Sequence, residues 1–455
     1  MEDDFQKKIL DWLGKINGGN SAIDGICDGK RRRKRSPTSE TLQLVSPPAS
    51  LDAMAQKTPR KRKALDPDET PRPQVPSPWC PSSSASEASS AAGTPSTRKQ
   101  LMNLQLSSSG VQYRVLDVDA PPVAAEELVN KLEDIGRAHG ILPKTLESDI
   151  EGKLCGLNLD FRKWRYSFTP MEEKDDLPGR IPSFEEVLRV HRKAKECQEY
   201  NHEEASWNSQ VHLRLLEYIF EDPSSGQCDD YNALSCTTAR PHRSFKPASS
   251  PPKMIDICIY WSPRTPDDNG LGNLITKFRA ATPTQTVNHT DFEPICARPL
   301  LLSIETKKPG VNLDTAQLQM GSWHAAQWAF LRWAVGEKLR VRYNFNMLDT
   351  DEGRQALEAE ELSILSTLGF IPGIIIQGHR WLLVLSTYDC GKTVMWTDRQ
   401  FGTTQSYLEI YAVIAGIRQL TAWTRDVYLE WFHKNILDGL CFTESHPTTT
   451  VTLPI

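Results

Sequence analysis

Apolar residues recur at regular spacing in this chain mainly from about residue 111 onward. Within 124–143, Leu128, Leu132, Ile135 and His139 form one stripe and Gly140 offers a stop, which predicts a helix. A second helix is predicted over 183–200, capped by Ser183 with Glu186 three residues on, and a third over 203–220. The period then changes. Residues 253–261 alternate and are rich in Ile and aromatics, a strand with Asp256 in its middle. Residues 301–308 read as another strand and 312–335 as a long helix with Asp314 near its start. A hairpin of two buried strands follows over 373–389, turning at Gln377–His379, then a strand over 391–397 and one or two helices over 406–437. Near the N-terminus, Phe5, Ile9, Trp12, Leu13 and Ile16 share one face of a helix too short to be stable alone. No internal repeat is apparent.

The strand at 301–308 breaks its own pattern. Leu300, Leu301, Leu302 and Ile304 suit an interior position, yet Glu305 and Lys307 follow before Pro309 and Gly310 end the run. Side chains alternate along a strand, so Glu305 and Lys307 share one side while Ile304 and Thr306 share the other. The plain alternative is a structural ion pair, but burying charge costs several kcal/mol per ion, so a working site explains the placement better. Asp256 between Ile255 and Ile257 is equally out of place unless paired or metal-bound. Two carboxylates on neighbouring strands suit a hard divalent cation, and the lysine alongside suits a water or a phosphate.

Charge and composition change this picture at the N-terminus. The 455-residue chain carries a net −5, but residues 1–110 hold 17 Lys+Arg against 12 Asp+Glu, so the remainder is at −10. The patterned part therefore lacks a general basic coat, and contact with a phosphate backbone would be local or metal-mediated. Residues 28–110 are rich in Ser, Pro, Thr and basic residues and read as disordered. Two basic runs there, Lys30–Arg35 and Pro59–Lys63, predict a nuclear protein recognised by an import carrier. Ten scattered cysteines without a C-x-x-C pair argue against a disulfide framework or a zinc site. No signal peptide or spanning segment is apparent, so no membrane partner is expected; oligomeric state is not legible.

At Asp256 and Glu305-Thr306-Lys307 the chain resembles the PD-(D/E)xK nuclease superfamily. The wider run through "EASWNSQVH", "MIDICIYW", "SIETKKPG", "QLQMGSWHAAQW", "RWLLVLS" and "FGTTQSY" is similar to a family of fungal proteins with a PD-(D/E)xK nuclease-like domain, over roughly 100–440. The resemblance implies an α/β (α+β) fold with a restriction-endonuclease-like core, a mixed central sheet flanked by helices, behind a disordered N-terminal tail. It implies metal-dependent hydrolysis of nucleic acid, DNA ahead of RNA, with Mg²⁺ or Mn²⁺ bound by Asp256 and Glu305 and Lys307 assisting the attacking water. The alternative is an inactive nuclease-like fold kept as a nucleic-acid- or protein-binding module.

Members often place a glutamate on the helix before the sheet, a role for Glu204 with Glu203 as alternative, and a glutamine on the helix after the strand. Gln317 and Gln319 lie about 200° apart around a helix, and Gln319, on the stripe of Trp323, Ala326 and Phe330, is preferred. Two departures stand out: Ile255 rather than proline precedes Asp256, and Glu305 stands 49 positions after Asp256, making 262–298 an insertion. His289 and Asp291 within it are weak metal candidates. Trp207, His212, Trp323, Trp328 and Trp333 read as packing rather than stacking platforms, and 401–406 as a loop and N-cap. The expected division is a short helix (1–20), a disordered tail (21–110), a helical part (111–200), the nuclease-like domain (201–440) and a C-terminal tail (441–455).

Overall fold

The computed structural model describes residues 96–438, apart from 108–109, 171–174, 227–229, 248–254, 264–269, 283, 343–349 and 390. In chain order the main elements begin with α1 (Thr97–Leu106), β1 (Val111–Val115), α2 (Glu126–Gly136), α3 (Glu147–Gly156) and α4 (Phe184–Glu199). Next comes α5, built from Glu204–Trp207, a π-turn at Asn208–His212 and Leu213–Phe220. Then follow β2 (Tyr231–Ser235), β3 (Ile257–Trp261), α6 (Leu271–Ala281), β4 (Leu300–Lys307), α7 (Asp314–Arg342) and α8 (Asp351–Ser366). The chain continues through β5 (Ile371–Gln377), β6 (Arg380–Asp389), β7 (Lys392–Thr403) and α9 (Tyr407–Trp423), which runs on helically to Leu437.

The seven strands form one mixed sheet in the order β1-β7-β6-β5-β4-β3-β2. β4 pairs parallel with β5 and antiparallel with β3, and β1 pairs parallel with β7. Every residue of β4 is buried, as its apolar run requires of an interior strand. Strand alternation divides the core. Ile304, Ile374 and Ile376 pack with Trp207, Leu215 and Ile414, whereas Ile375, Leu382 and Val384 pack with Ala316, Leu318 and Met320 of α7. This is the α/β, helix-flanked mixed sheet that the sequence implies. Gly373 lets α7 lie close, because a Cβ there would come within 2.9 Å of His324 Nε2. Gly378 makes the β5–β6 turn at φ +56°, where a Cβ would stand 2.4 Å from Pro309 Cγ.

Local signals explain several elements. Ser183 and Glu186 form the expected capping box: the Glu186 N–H donates to Ser183 Oγ at 3.3 Å and the Ser183 N–H to Glu186 Oε2 at 2.8 Å. Ser406 caps α9 by accepting the Glu409 N–H at its Oγ. Other boundaries move. Order begins before residue 111, because Leu104 of α1 is fully buried against the α7 side of the sheet. β1, inside the part expected to be helical, joins the nuclease-like sheet. α2 ends at Gly136, short of the stop expected at Gly140. The 262–298 insertion contains α6 and braces β4: Asn288 Nδ2 donates to the Ile295 and Arg298 carbonyls at 2.6 and 2.9 Å, and the Leu300 N–H donates to Asn288 Oδ1 at 2.8 Å. The short helix at 5–16, both basic runs and the tail at 441–455 lie outside the described residues.

Candidate active site

The site forms where β3 begins and β4 ends, since antiparallel pairing brings those two ends together. Asp256 lies one residue before β3 and is half-buried, not mid-strand and buried as its apolar neighbours suggested. The cause is local competition for the backbone. The Asp256 N–H donates to the Ile304 carbonyl at 3.1 Å, as a ladder would, but the Thr306 N–H then donates to Asp256 Oδ2 at 2.8 Å. A side chain thus takes the place of the next ladder acceptor and ends the strand. Thr306 Oγ1 donates to the same oxygen at 2.9 Å, and the Cys236 N–H donates to the Asp256 carbonyl at 2.7 Å. Asp256 is fixed from both sides.

Glu305 and Lys307 share a face of β4, as alternation requires, and Lys307 Nζ donates to Glu305 Oε1 at 2.6 Å. The ammonium also donates to the Thr306 carbonyl at 2.6 Å and lies 3.4 Å from Glu204 Oε1 on the first turn of α5. Glu203 turns instead to Lys308, 3.0 Å from either oxygen, so the structure separates the two glutamates that sequence left as alternatives. Gln317 and Gln319 separate likewise. Gln317 Nε2 reaches Thr397 Oγ1 and Asp398 Oδ1 on β7 at 3.4 and 3.5 Å. Gln319 is half-buried one turn before Trp323, which packs with Ile255 and Cys258 beside Asp256.

One cation therefore faces three carboxylates. Glu305 is fully buried, and burial first, then the charges of Asp256 and Glu204, push its carboxyl well above the usual carboxylate range against the pull of Lys307. Burial also raises Glu204, with Asp256 adding to it and Lys307 opposing. For Lys307, 7% exposed, burial works to lower the pKa; Glu305, then Glu204 and Asp256, outweigh it and raise the pKa overall. The ammonium is therefore charged at neutral pH.

Glu305 Oε2 is buried without a hydrogen-bond donor. Such an oxygen is costly, and a hard divalent cation would satisfy it while offsetting the surplus negative charge. Among the described residues no group of three or more His, Cys, Asp or Glu is arranged to hold a metal; the acids acting on Lys307 are Glu305, Glu204 and Asp256. His289 is not among them. It is buried with its ring edge-on to Trp323 at 4.5 Å, and burial, then nearby His324, lowers its pKa to about 3. Trp207, His212, Trp323 and Trp328 are core residues, as their spacing predicts, and Trp333 is partly buried.

Sequence reasoning missed Thr306 and Lys308. A threonine between Glu and Lys looks like ordinary strand alternation; the available signal was that its face points away from Glu305, toward whatever precedes β3.

A mixed sheet with flanking helices, carrying two acids and a lysine at the meeting ends of two strands, defines a nuclease-like domain of the restriction-endonuclease type. The chain belongs to the PD-(D/E)XK nuclease superfamily, whose family model matches residues 157–429, more than half of its length. No curated protein and no solved structure matches it.

Proposed function

We propose that this protein is a metal-dependent nuclease that hydrolyses phosphodiester bonds, with Asp256 and Glu305 holding Mg²⁺ or Mn²⁺. The observation that carries the reading is the Lys307 ammonium bonded at 2.6 Å to Glu305, whose second oxygen is buried and without a donor. The cation, when bound, offsets phosphate charge and makes a neighbouring water more acidic. The chain's own residues do the rest. Thr306 fixes the orientation of Asp256 through two hydrogen bonds. Lys307, kept protonated by its three acidic neighbours, donates to a phosphate oxygen or to the attacking water and stabilises charge gathering in the transition state. It is therefore a poor general base. Glu204, half-buried with its carboxyl raised by burial, is the acid suited to take the proton from water. Gln319, half-buried on the stripe leading to Trp323, is the helix glutamine assigned to this site.

DNA is the first substrate to test, and the basic runs Lys30–Arg35 and Pro59–Lys63 fit a nuclear protein carried by an import receptor. A panel of single- and double-stranded DNA and RNA, incubated with Mg²⁺, Mn²⁺ or EDTA, tests the reading. The expected result is cleavage only with the cation, and roughly a hundredfold slower or less with Lys307→Ala. A second reading, an inactive fold that binds without turnover, is favoured by the net −10 outside the first 110 residues. It predicts no cleavage on any substrate and no rise in melting temperature with either cation, whereas an occupied site stabilises the fold.

A further inference from the structure

Beyond the end of β4, a cleft of about 290 Å³ opens at the edge formed by Pro309, Gly310 and the β5–β6 turn. Gln198, Gln377, His379 and Gln405 line it together with Arg380. It adjoins the candidate active site directly, because the Gly378 N–H donates to the Lys307 carbonyl at 2.8 Å. Register carries the geometry further. Lys307 pairs with Gln377, and Gln377 pairs with Arg380, so the three residues form one row across β4, β5 and β6. Directly paired residues share a sheet face, so Lys307 and Arg380 lie on the same side about 10 Å apart, two strand spacings.

Arg380 differs from the arginines that carry ion pairs. Arg332, Arg399 and Arg418 each pair with a carboxylate. Arg380 is exposed and is held by neutral amides: its Nε donates to Gln400 Oε1 at 2.9 Å and its Nη1 to Gln377 Oε1 at 3.2 Å. Gln377 is itself fixed, its Nε2 donating to the Val311 carbonyl at 2.6 Å. Among the described residues no carboxylate neutralises this guanidinium. A cation positioned by amides keeps its full charge for an anion, and a planar guanidinium suits phosphate.

We propose that this cleft holds the substrate's sugar–phosphate backbone next to the scissile position, with Arg380 binding a non-bridging phosphate oxygen. Lys307 and Arg380 stand two strands apart, so Arg380 meets a neighbouring phosphate and not the one cleaved. The assignment rests on the nuclease reading and adds a binding element to an otherwise acidic domain. It makes Arg380 a substrate-binding residue that takes no part in the chemistry.

The test measures binding of a short fluorescein-labelled oligodeoxynucleotide in EDTA, by anisotropy, over a series of salt concentrations. Wild type, Arg380→Gln and Arg380→Lys are compared, each with its melting temperature. Arg380→Gln is expected to weaken binding roughly five- to tenfold at low salt and to reduce the salt slope by about 0.7–0.9, the loss of one phosphate contact. Arg380→Lys recovers most of the slope, and melting temperatures stay with wild type. Equal affinity and slope for wild type and Arg380→Gln overturn the proposal, as does an absence of salt-dependent binding by wild type. Binding that depends on Arg380 without cleavage in any metal overturns the hydrolytic reading and leaves the cleft assignment standing.

Discussion

Glu305 and Lys307 stand where an apolar strand gives no solvation, so each is tolerable only through the other and through what joins them. Charge of this kind is conspicuous in a sequence, which is why both residues and Asp256 are legible there as candidates. Thr306 is not, because threonine is common on strands and its two bonds to Asp256 depend on which element lies opposite. Its role is open to test. Thr306→Val keeps the backbone N–H bond and removes the hydroxyl, so Asp256 loses one of two donors. Cleavage should slow by about an order of magnitude through kcat, since a loosened catalytic group loses orientation more than substrate affinity. Steady-state kinetics read this directly; an unchanged kcat would remove Thr306 as a positioning residue.

At the scale of elements, periodic helices and apolar strands are legible because a continuous stripe or run spans them. Shorter or compositionally masked elements are not. The Leu101 and Leu104 positions of α1 are swamped by the polar residues around them, β1 is only five residues long, and α6 sits in a segment with no counterpart in the expected core. The site end of β3 escapes periodicity because a side-chain hydrogen bond, invisible to it, ends the strand.

The π-turn in α5 illustrates a further link between elements. It places His212 in the core, Nδ1 3.1 Å from Asn208 Oδ1 and Nε2 3.1 Å from the Gly378 carbonyl, tying α5 to the β5–β6 turn beside the site. Burial lowers the His212 pKa from 6.5 to about 4. The unfolded chain therefore takes up the proton first, and the stability His212 contributes is complete above the ordinary histidine range. It is lost as pH falls from about 6.5 toward 4, by roughly 3 kcal/mol at most. Urea unfolding across that interval should show the slope, and His212→Gln should flatten it. A variant with the same slope as wild type would place the acid sensitivity elsewhere.

Over the whole molecule, charge is divided. The first 110 residues are net basic and the remainder is net acidic, so any hold on a polyanion depends on local groups such as Lys307 and Arg380 or on the tail. The import reading of the tail predicts that a fluorescent fusion with Lys30–Arg35 and Pro59–Lys63 changed to alanine loses nuclear accumulation while its nucleic-acid affinity is unchanged. Unchanged accumulation would remove the import role, and weakened affinity would recast the runs as a substrate tether.

The central claim concerns Glu305, the buried acid with one oxygen on Lys307 and the other without a donor. Glu305→Gln preserves its shape and removes its charge, and so weakens its hold on a divalent cation. The decisive measurement is cleavage of the best substrate by wild type and Glu305→Gln in parallel, with Mg²⁺, with Mn²⁺ and with EDTA. A metal-dependent nuclease centred on Glu305 gives cleavage by wild type in the presence of cation only and none by the folded variant in any condition. Cleavage by Glu305→Gln at the wild-type rate, or cleavage by wild type in EDTA, would contradict it.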